Sequence, residues 1–193
     1  MDWGPCKLLV PLMEDAMTTT AVTEAMQYLT FKLDDEVFAL DITKVREVLD
    51  FTTATRVPKT PEFMRGVINL RGNVVPVIDL RRKFGMPRSG DTVNSCIIIT
   101  EVTVDGDRTV LGCLADSVQE VLDLDTENIA PAPRIGKKLR TDFIKSMGKR
   151  GDRLLIILDI DRVFSSHELA AIERHDGGVR SDNDDGELIE KAA

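Results

Sequence analysis

The chain has 193 residues, 42% of them hydrophobic and 30% charged, with a formal net charge of −8. That length buries roughly 70% of the unfolded surface, so no disulfide or metal staple is required. Residues 1–25 carry a net −3 and residues 176–193 a net −4, so the body between them is nearly neutral and lacks the basic stripe that nucleic-acid binding needs.

Residues 1–25 are rich in Met and Thr without sustained periodicity and read as a disordered tail, with Met13, Met17 and Met26 as alternative starts. From Tyr28 the pattern turns to period two, with Leu29, Phe31 and Leu33 on one face, which predicts a half-buried strand. A polar turn at Asp34-Asp35-Glu36 leads into a second strand over Val37–Leu40. Asp41 can then N-cap a short helix carrying Ile42, Val45 and Leu49, and Thr-rich Phe51–Val57 reads as a strand. Pro61 to Gly66 reads as one helical turn, opened by Pro and closed by Gly. Val67–Leu70, the turn Arg71-Gly72-Asn73 and Val74–Ile78 form a hairpin, and Pro76 implies an edge or a bulge in its second arm. Cys96–Val104 and Thr109–Ala115 flank the turn Asp105-Gly106-Asp107 as another hairpin, and Leu154–Leu158 is a last apolar strand. Ser165-Ser166-His167-Glu168 is a capping box opening a terminal helix to about His175, after which residues 176–193 form an acidic, disordered tail. Limited proteolysis is expected to leave a core near residues 26–175.

Two internal echoes organise this list. At an offset of 80 residues VPVIDLRRKF (75–84) aligns with LIILDIDRVF (155–164), and Phe63-Met64-Arg65 with Phe143-Ile144-Lys145. Glu47-Val48-Leu49-Asp50 also matches Glu120-Val121-Leu122-Asp123. Their common order predicts two similar barrel halves, near 28–85 and 95–164 and not strictly contiguous. Many short strands with Gly and Asp turns predict small β-barrels.

The chemistry-bearing motifs sought are missing. There is no G-x-S-x-G, G-x-G-x-x-G, P-loop or H-E-x-x-H, and the only histidines, His167 and His175, lie near the C-terminus. The acid pairs Asp34/Asp35 and Asp105/Asp107 flank turns, where carboxylates ordinarily serve turn geometry rather than acid–base chemistry. No metal-ligand spacing and no cofactor motif is found, so neither is assigned. Three cysteines without C-x-x-C spacing (Cys6, Cys96, Cys113) fit a reducing cytoplasm, and Cys96 and Cys113 read as buried free thiols rather than a redox pair. The opening MDWGPCKLLVPLM lacks the basic start and cleavage site of a signal peptide. The longest charge-free run, Thr92–Thr100, is far short of the ~20 residues of a spanning helix. What remains is binding. Arg71 at a hairpin tip reads either as a solvated turn residue or as a contact, while Val45 and Glu47 read by default as core and solvated surface.

The run FKLDDEVFALDITKVREVLDFTTATRVPKTPEFMRGVINLRGNVVPVIDLRRKFG resembles the first half of CheW-type coupling proteins of bacterial chemotaxis. Its most specific parts are P-x-F-[MI]-x-G-V-x-N-L-R-G and V-P-V-I-D-L-R. LADSVQEVLDLDTENIAPAP and GDRLLIILDIDRVF continue the match, which covers about residues 26–172. The resemblance implies a mainly β fold of two similar five-stranded barrels around a shared apolar core, with short helices and a C-terminal helix. It implies a non-enzymatic cytoplasmic adaptor that links chemoreceptor cytoplasmic tips to the regulatory domain of the histidine kinase CheA. Val45, Gly66, Arg71 and the neighbourhood of Ile97 match receptor-contact positions, and Glu47 matches a partner-binding position that could pair with the hairpin arginine. A coupling protein serving surface motility or another chemosensory system would read the same way, whereas an enzyme with a site between the barrels is the competing class.

Overall fold

In a strand whose two faces are both covered, alternate side chains enter two different cores, and this chain uses that rule repeatedly. The computed structural model describes residues 26–87, 90–132 and 142–173. In chain order its strands are β1 (Met26–Leu33), β2 (Glu36–Asp41), β3 (Val45–Asp50), β4 (Met64–Leu70), β5 (Asn73–Asp79), β6 (Cys96–Val104), β7 (Asp107–Ala115), β8 (Ser117–Leu124), β9 (Ile129–Pro131), β10 (Ile144–Arg150) and β11 (Arg153–Leu158). Short helices α1 (Leu80–Lys83) and α2 (Ile160–Val163) follow β5 and β11, and α3 (Ser166–Glu173) comes last. One sheet has the order β8-β1-β2-β11-β10-β9 and the other β3-β6-β7-β5-β4.

Along β6, Cys96, Ile98 and Val102 enter a large core shared between the sheets, while Ile97 and Ile99 enter a second core with Ile68, Val75, Val77 and Leu114. Along β11, Leu158 and the half-buried Ile156 face the shared core, while Leu155 and Ile157 join Tyr28, Ala39, Leu122 and Leu124 in a third. Each sheet therefore wraps its own small core and presents its other face to the common one. Phe31, Leu33, Leu40, Ile78, Leu80 and Ile98 are fully buried there, each contributing about 1.5–3 kcal/mol of transfer free energy.

The internal echoes are structural. β4–β5–α1 and β10–β11–α2 are equivalent units, each with a register shift in the first strand, between Met64 and Gly66 and between Ile144 and Ser146. The Asp79 N–H donates to Phe63 O at 2.8 Å, and the Asp159 N–H to Phe143 O at 2.8 Å. Glu47–Asp50 lies in β3 and Glu120–Asp123 in β8, each a terminal strand of its sheet. The sheets do not, however, follow the sequence halves 28–85 and 95–164. β11 pairs in parallel with β2, drawing β1 and β2 into the sheet of β8–β11, while β3–β7 close the other. The six-strand count of the first sheet includes the three-residue β9.

Local readings need correction at four places. Asp41 does cap a helical turn, accepting from Thr43 N at 3.0 Å, but only Ile42–Lys44 is 3-10 and the chain is extended from Val45. Phe51–Val57 forms no ladder, because only Thr55 bridges, to Val67 of β4. The helical turn expected at Pro61–Gly66 is a turn closed by Met64 N–H donating to Pro61 O at 2.9 Å, and Gly66 already lies in β4. Pro76 is on an interior strand, tolerated because the β7 ladder begins one residue later at Val77 and its β4 partner Val67 spends its own N–H and C=O on Thr55.

The capping box is present. Ser165 N–H and Oγ–H both donate to the Glu168 carboxylate at 2.9 Å, and Glu168 N–H donates to Ser165 Oγ at 3.3 Å. His175 and both acidic tails lie outside the described residues. Lys83 ties α3 to the body through an ion pair with Glu168, with its ammonium 4.5 Å from the Phe63 ring centre and 5.4 Å from that of Phe164. Burial raises the pKa of Glu168, yet the Lys83 and Ser165 contacts outweigh it and hold the carboxyl below its ordinary value. A depressed folded pKa means stability present above the unfolded value of about 4.3 and lost as pH falls through the folded one. Glu168→Gln should therefore flatten that acid limb of a urea-unfolding series. An unchanged limb would show that Glu168 does not contribute to it.

Cys96 and Cys113 are free and buried. Burial pushes the Cys113 thiol up to about 12 and raises that of Cys96 as well, so neither is a nucleophile near neutral pH. A thiol reagent at pH 8 should leave both untouched in the folded protein and modify both in denaturant. Rapid native labelling would show an opening that the packing does not contain.

Candidate functional site

The two longest hairpins of the second sheet turn through two residues of positive φ, the type I′ geometry that matches strand twist. In the β6–β7 turn these are Asp105 (φ 53°) and Gly106 (φ 93°), and in the β4–β5 turn Arg71 (φ 54°) and Gly72 (φ 89°). Asp is among the side chains that tolerate left-handed backbone, whereas an arginine there meets the ordinary Cβ penalty of about 1–2 kcal/mol. The turn is supported by Asn69 Oδ1, which accepts from Gly72 N–H at 2.8 Å. Arg71 is thus held at a conformationally unfavourable position with its side chain 77% exposed.

Its guanidinium reaches β3. Arg71 Nη2 donates to Glu47 Oε2 at 2.9 Å, so the pairing of Glu47 with the hairpin arginine is observed. A register shift between Val45 and Glu47 explains why these two neighbours behave differently. Val45 pairs with Thr100, Glu47 with Ile99, and Arg46 is the extra residue. The bulge turns Val45 toward the shared core and leaves Glu47 on the side of Leu49, Ile97 and Ile99. Without it, residues 45 and 47 would share a face.

Gly66 is buried in β4 with φ 144°, and a Cβ there would lie 2.2 Å from the carbonyl oxygen of Thr55. Its role in the structure is the close passage of two backbones. Ile97 is fully buried, opposite Leu49 and Leu114, and supplies core beneath the site rather than surface on it. The structure therefore brings Glu47 and Arg71 into contact, places Val45 on the other side of β3, and removes Ile97 from the surface.

Glu47 and Arg71 line a cleft of about 760 Å³ walled by β3, the β4–β5 and β6–β7 hairpins and Ile172 of α3. Arg46 and Arg108 complete its charged lining, giving three arginines against one glutamate. Just outside, Glu101 accepts a hydrogen bond from Arg46, and this bond and the two guanidiniums hold its carboxyl below the ordinary range. Arg108, at 3.5 Å from Glu101, is as exposed as Arg71. Arg46, Arg108 and Ile172 had no sequence signal, since each enters through a bulge, a cross-strand register or helix docking. The floor is apolar, with Val75, Ile99 and Val110. Such a cleft, with an apolar floor and a guanidinium rim, is suited to holding a protein segment, with no nucleophile–base pair among its lining residues.

The comparisons with known proteins agree with this architecture. The CheW-like domain matches residues 27–168, most of the chain. The chain belongs to the CheW-like family. It is 38% identical over 151 residues to the chemotaxis protein CheW of Klebsiella aerogenes, covering 78% of this chain and 89% of that protein. It is 34% identical over 145 residues to a probable chemotaxis protein CheW of Rhizobium etli, covering 75% and 91%. The crystal structure of the scaffolding protein TtCheW from Thermoanaerobacter tengcongensis superposes with a TM-score of 0.66 at 35% identity, over 75% of this chain and 95% of that one. The CheW-like fold thus accounts for the mainly β architecture of two sheets derived above. Among the described residues no helix is long and apolar enough to cross a membrane.

Proposed function

We propose that this CheW-like protein is a non-enzymatic chemotaxis scaffold, working in the cytoplasm, that binds a chemoreceptor cytoplasmic tip and a CheA-type histidine kinase at once. Arg71 carries the reading. A left-handed turn position that backbone chemistry would fill with Asn, Asp or Gly holds an exposed arginine, ion-paired across the mouth of an apolar cleft. The sequence and structural relatives, named as chemotaxis CheW proteins and as a scaffolding protein, support the cellular role.

In this reading the receptor docks at the cleft lined by Glu47 and Arg71, with Gly66 holding the β4 wall in place and Val45 supporting β3 from the shared core. Ile97 acts from beneath. Glu47 also bears on kinase assembly. A scaffold with two docking surfaces raises the effective concentration of one partner near the other without chemistry of its own. The test is a three-component titration with receptor fragment and kinase, reading complex formation and kinase activity. The expected result is receptor-dependent kinase activation that requires this protein. Binding of neither partner by the folded chain would refute the proposal.

A further inference from the structure

The cleft has an intramolecular candidate for its occupant. Residues 176–193 carry six acids (Asp176, Asp182, Asp184, Asp185, Glu187 and Glu190) against Arg180 and Lys191, and place Leu188-Ile189 among them. The helix that leads into this stretch ends at the cleft itself, since Ile172, in the last turn of α3, is one of its lining residues. Three of the four charged residues lining the cleft are arginines, two of them 77% exposed, while the body as a whole is nearly neutral. Complementary charge and covalent proximity therefore coincide at one place.

We propose that the acidic segment 176–193 folds back over the arginine rim of this cleft and competes there with the partner. The reach is sufficient. Asp182 lies ten positions beyond Ile172, a reach of at most roughly 33 Å for an extended chain. Gly177-Gly178 supplies, just beyond the helix, the residue type that reverses a chain most readily. Short tethers give effective concentrations near the millimolar range, so a weak contact suffices. Leu188 and Ile189 match the apolar floor of Val75, Ile99 and Val110, and the acids match the rim. The contact is electrostatic at an exposed rim, so it weakens with salt as the screening length falls below about 10 Å. The competition, though not the contact, rests on the cleft being the receptor site.

The test uses the full chain with Cys6→Ser and Ser181→Cys, a nitroxide on the new thiol, and amide spectra; the buried Cys96 and Cys113 stay unlabelled. The amides of Gly72, Asn73 and Thr109 should broaden at least twofold more than those of the Arg150–Arg153 turn at low salt. The effect should vanish with Arg71→Ala/Arg108→Ala, and with Asp182→Asn, Asp184→Asn, Asp185→Asn, Glu187→Gln and Glu190→Gln combined. No selective broadening, or broadening indifferent to both variants, overturns the proposal. So does broadening lost on dilution at constant salt, which would mark a second copy as the occupant. Saturating receptor fragment should release the label, and the neutralised segment should tighten fragment binding about 3- to 10-fold. A fragment that binds and leaves the broadening in place refutes the cleft as the receptor site while the intramolecular contact stands.

Discussion

Arg71→Ala should melt within a few degrees of the parent protein and lose about 30-fold in affinity for a chemoreceptor fragment. Both halves follow from the turn. Alanine carries the same Cβ as arginine, so the left-handed backbone penalty at φ 54° is unchanged by the substitution. The pair with Glu47 is made by a side chain 77% exposed, and such pairs are worth about 0.2–1 kcal/mol. Stability therefore moves little. Arginine is a frequent interface hot spot, where truncation costs about 2 kcal/mol or more, a factor of about 30. Arg71→Gly sharpens the distinction, since it relieves the backbone and should raise the melting temperature while binding falls as in Arg71→Ala. Glu47→Lys should impair assembly, and combining it with Arg71→Glu should recover part of the loss if the pair orients the guanidinium. Melting curves beside receptor and kinase titrations decide the matter. Full-strength binding by Arg71→Ala would return the residue to a solvated turn, and a collapsed melting curve would make its role structural.

Gly66→Ala should behave in the opposite way, failing first as a fold. A Cβ at residue 66 would stand 2.2 Å from Thr55 O and 2.7 Å from Thr55 C, both backbone atoms that no rotamer change can move. The backbone there has φ 144°, which side-chain-bearing residues rarely adopt. The strained conformation and the clash together cost roughly 3 kcal/mol, or about 6–12 °C of melting temperature for a chain of this size. The damage is local at first, since Thr55 and Val67 exchange two 2.8 Å backbone hydrogen bonds that pin the 51–57 segment to β4 beside the cleft. Lost receptor binding in Gly66→Ala should therefore scale with lost stability, unlike that in Arg71→Ala. A variant with parental melting and selectively lost binding would show instead that the partner touches residue 66 directly.

β1 was legible from its period-two pattern at Leu29, Phe31 and Leu33, and the hairpin strands from short apolar, β-branched runs bounded by turns that carry Asp or Gly. The echo at 80 residues was legible for a related reason. A repeated unit buries the same positions twice, as Phe63 and Phe143 show by accepting equivalent hydrogen bonds from Asp79 and Asp159. The segment after Asp41 reads as helical because Ile42, Val45 and Leu49 fit a helical stripe, although Val45–Asp50 is a strand. Cross-strand pairing with β6 settled the choice, and the bulge at Arg46 then set which side chain faces where. Pro61–Gly66 reads as a helical turn in one dimension because glycine at a helix end and glycine at a backbone crossing look identical there.

The sequence by itself determined the β class, the duplication, the N-capped turns and the identity of the residues at the cleft's hairpin tip, since these depend on local propensity and periodicity. The pairing of Glu47 with Arg71 came from the resemblance to CheW-type coupling proteins, not from spacing or periodicity. Tertiary structure alone decided that β1 and β2 leave the N-terminal half to join β11, because parallel pairing between distant strands leaves no local trace. It decided likewise that Ile97 is core and that Arg46, Arg108 and Ile172 join Arg71 around one cleft. Those placements depend on register, bulges and helix docking, where one residue of shift moves a side chain to the opposite face.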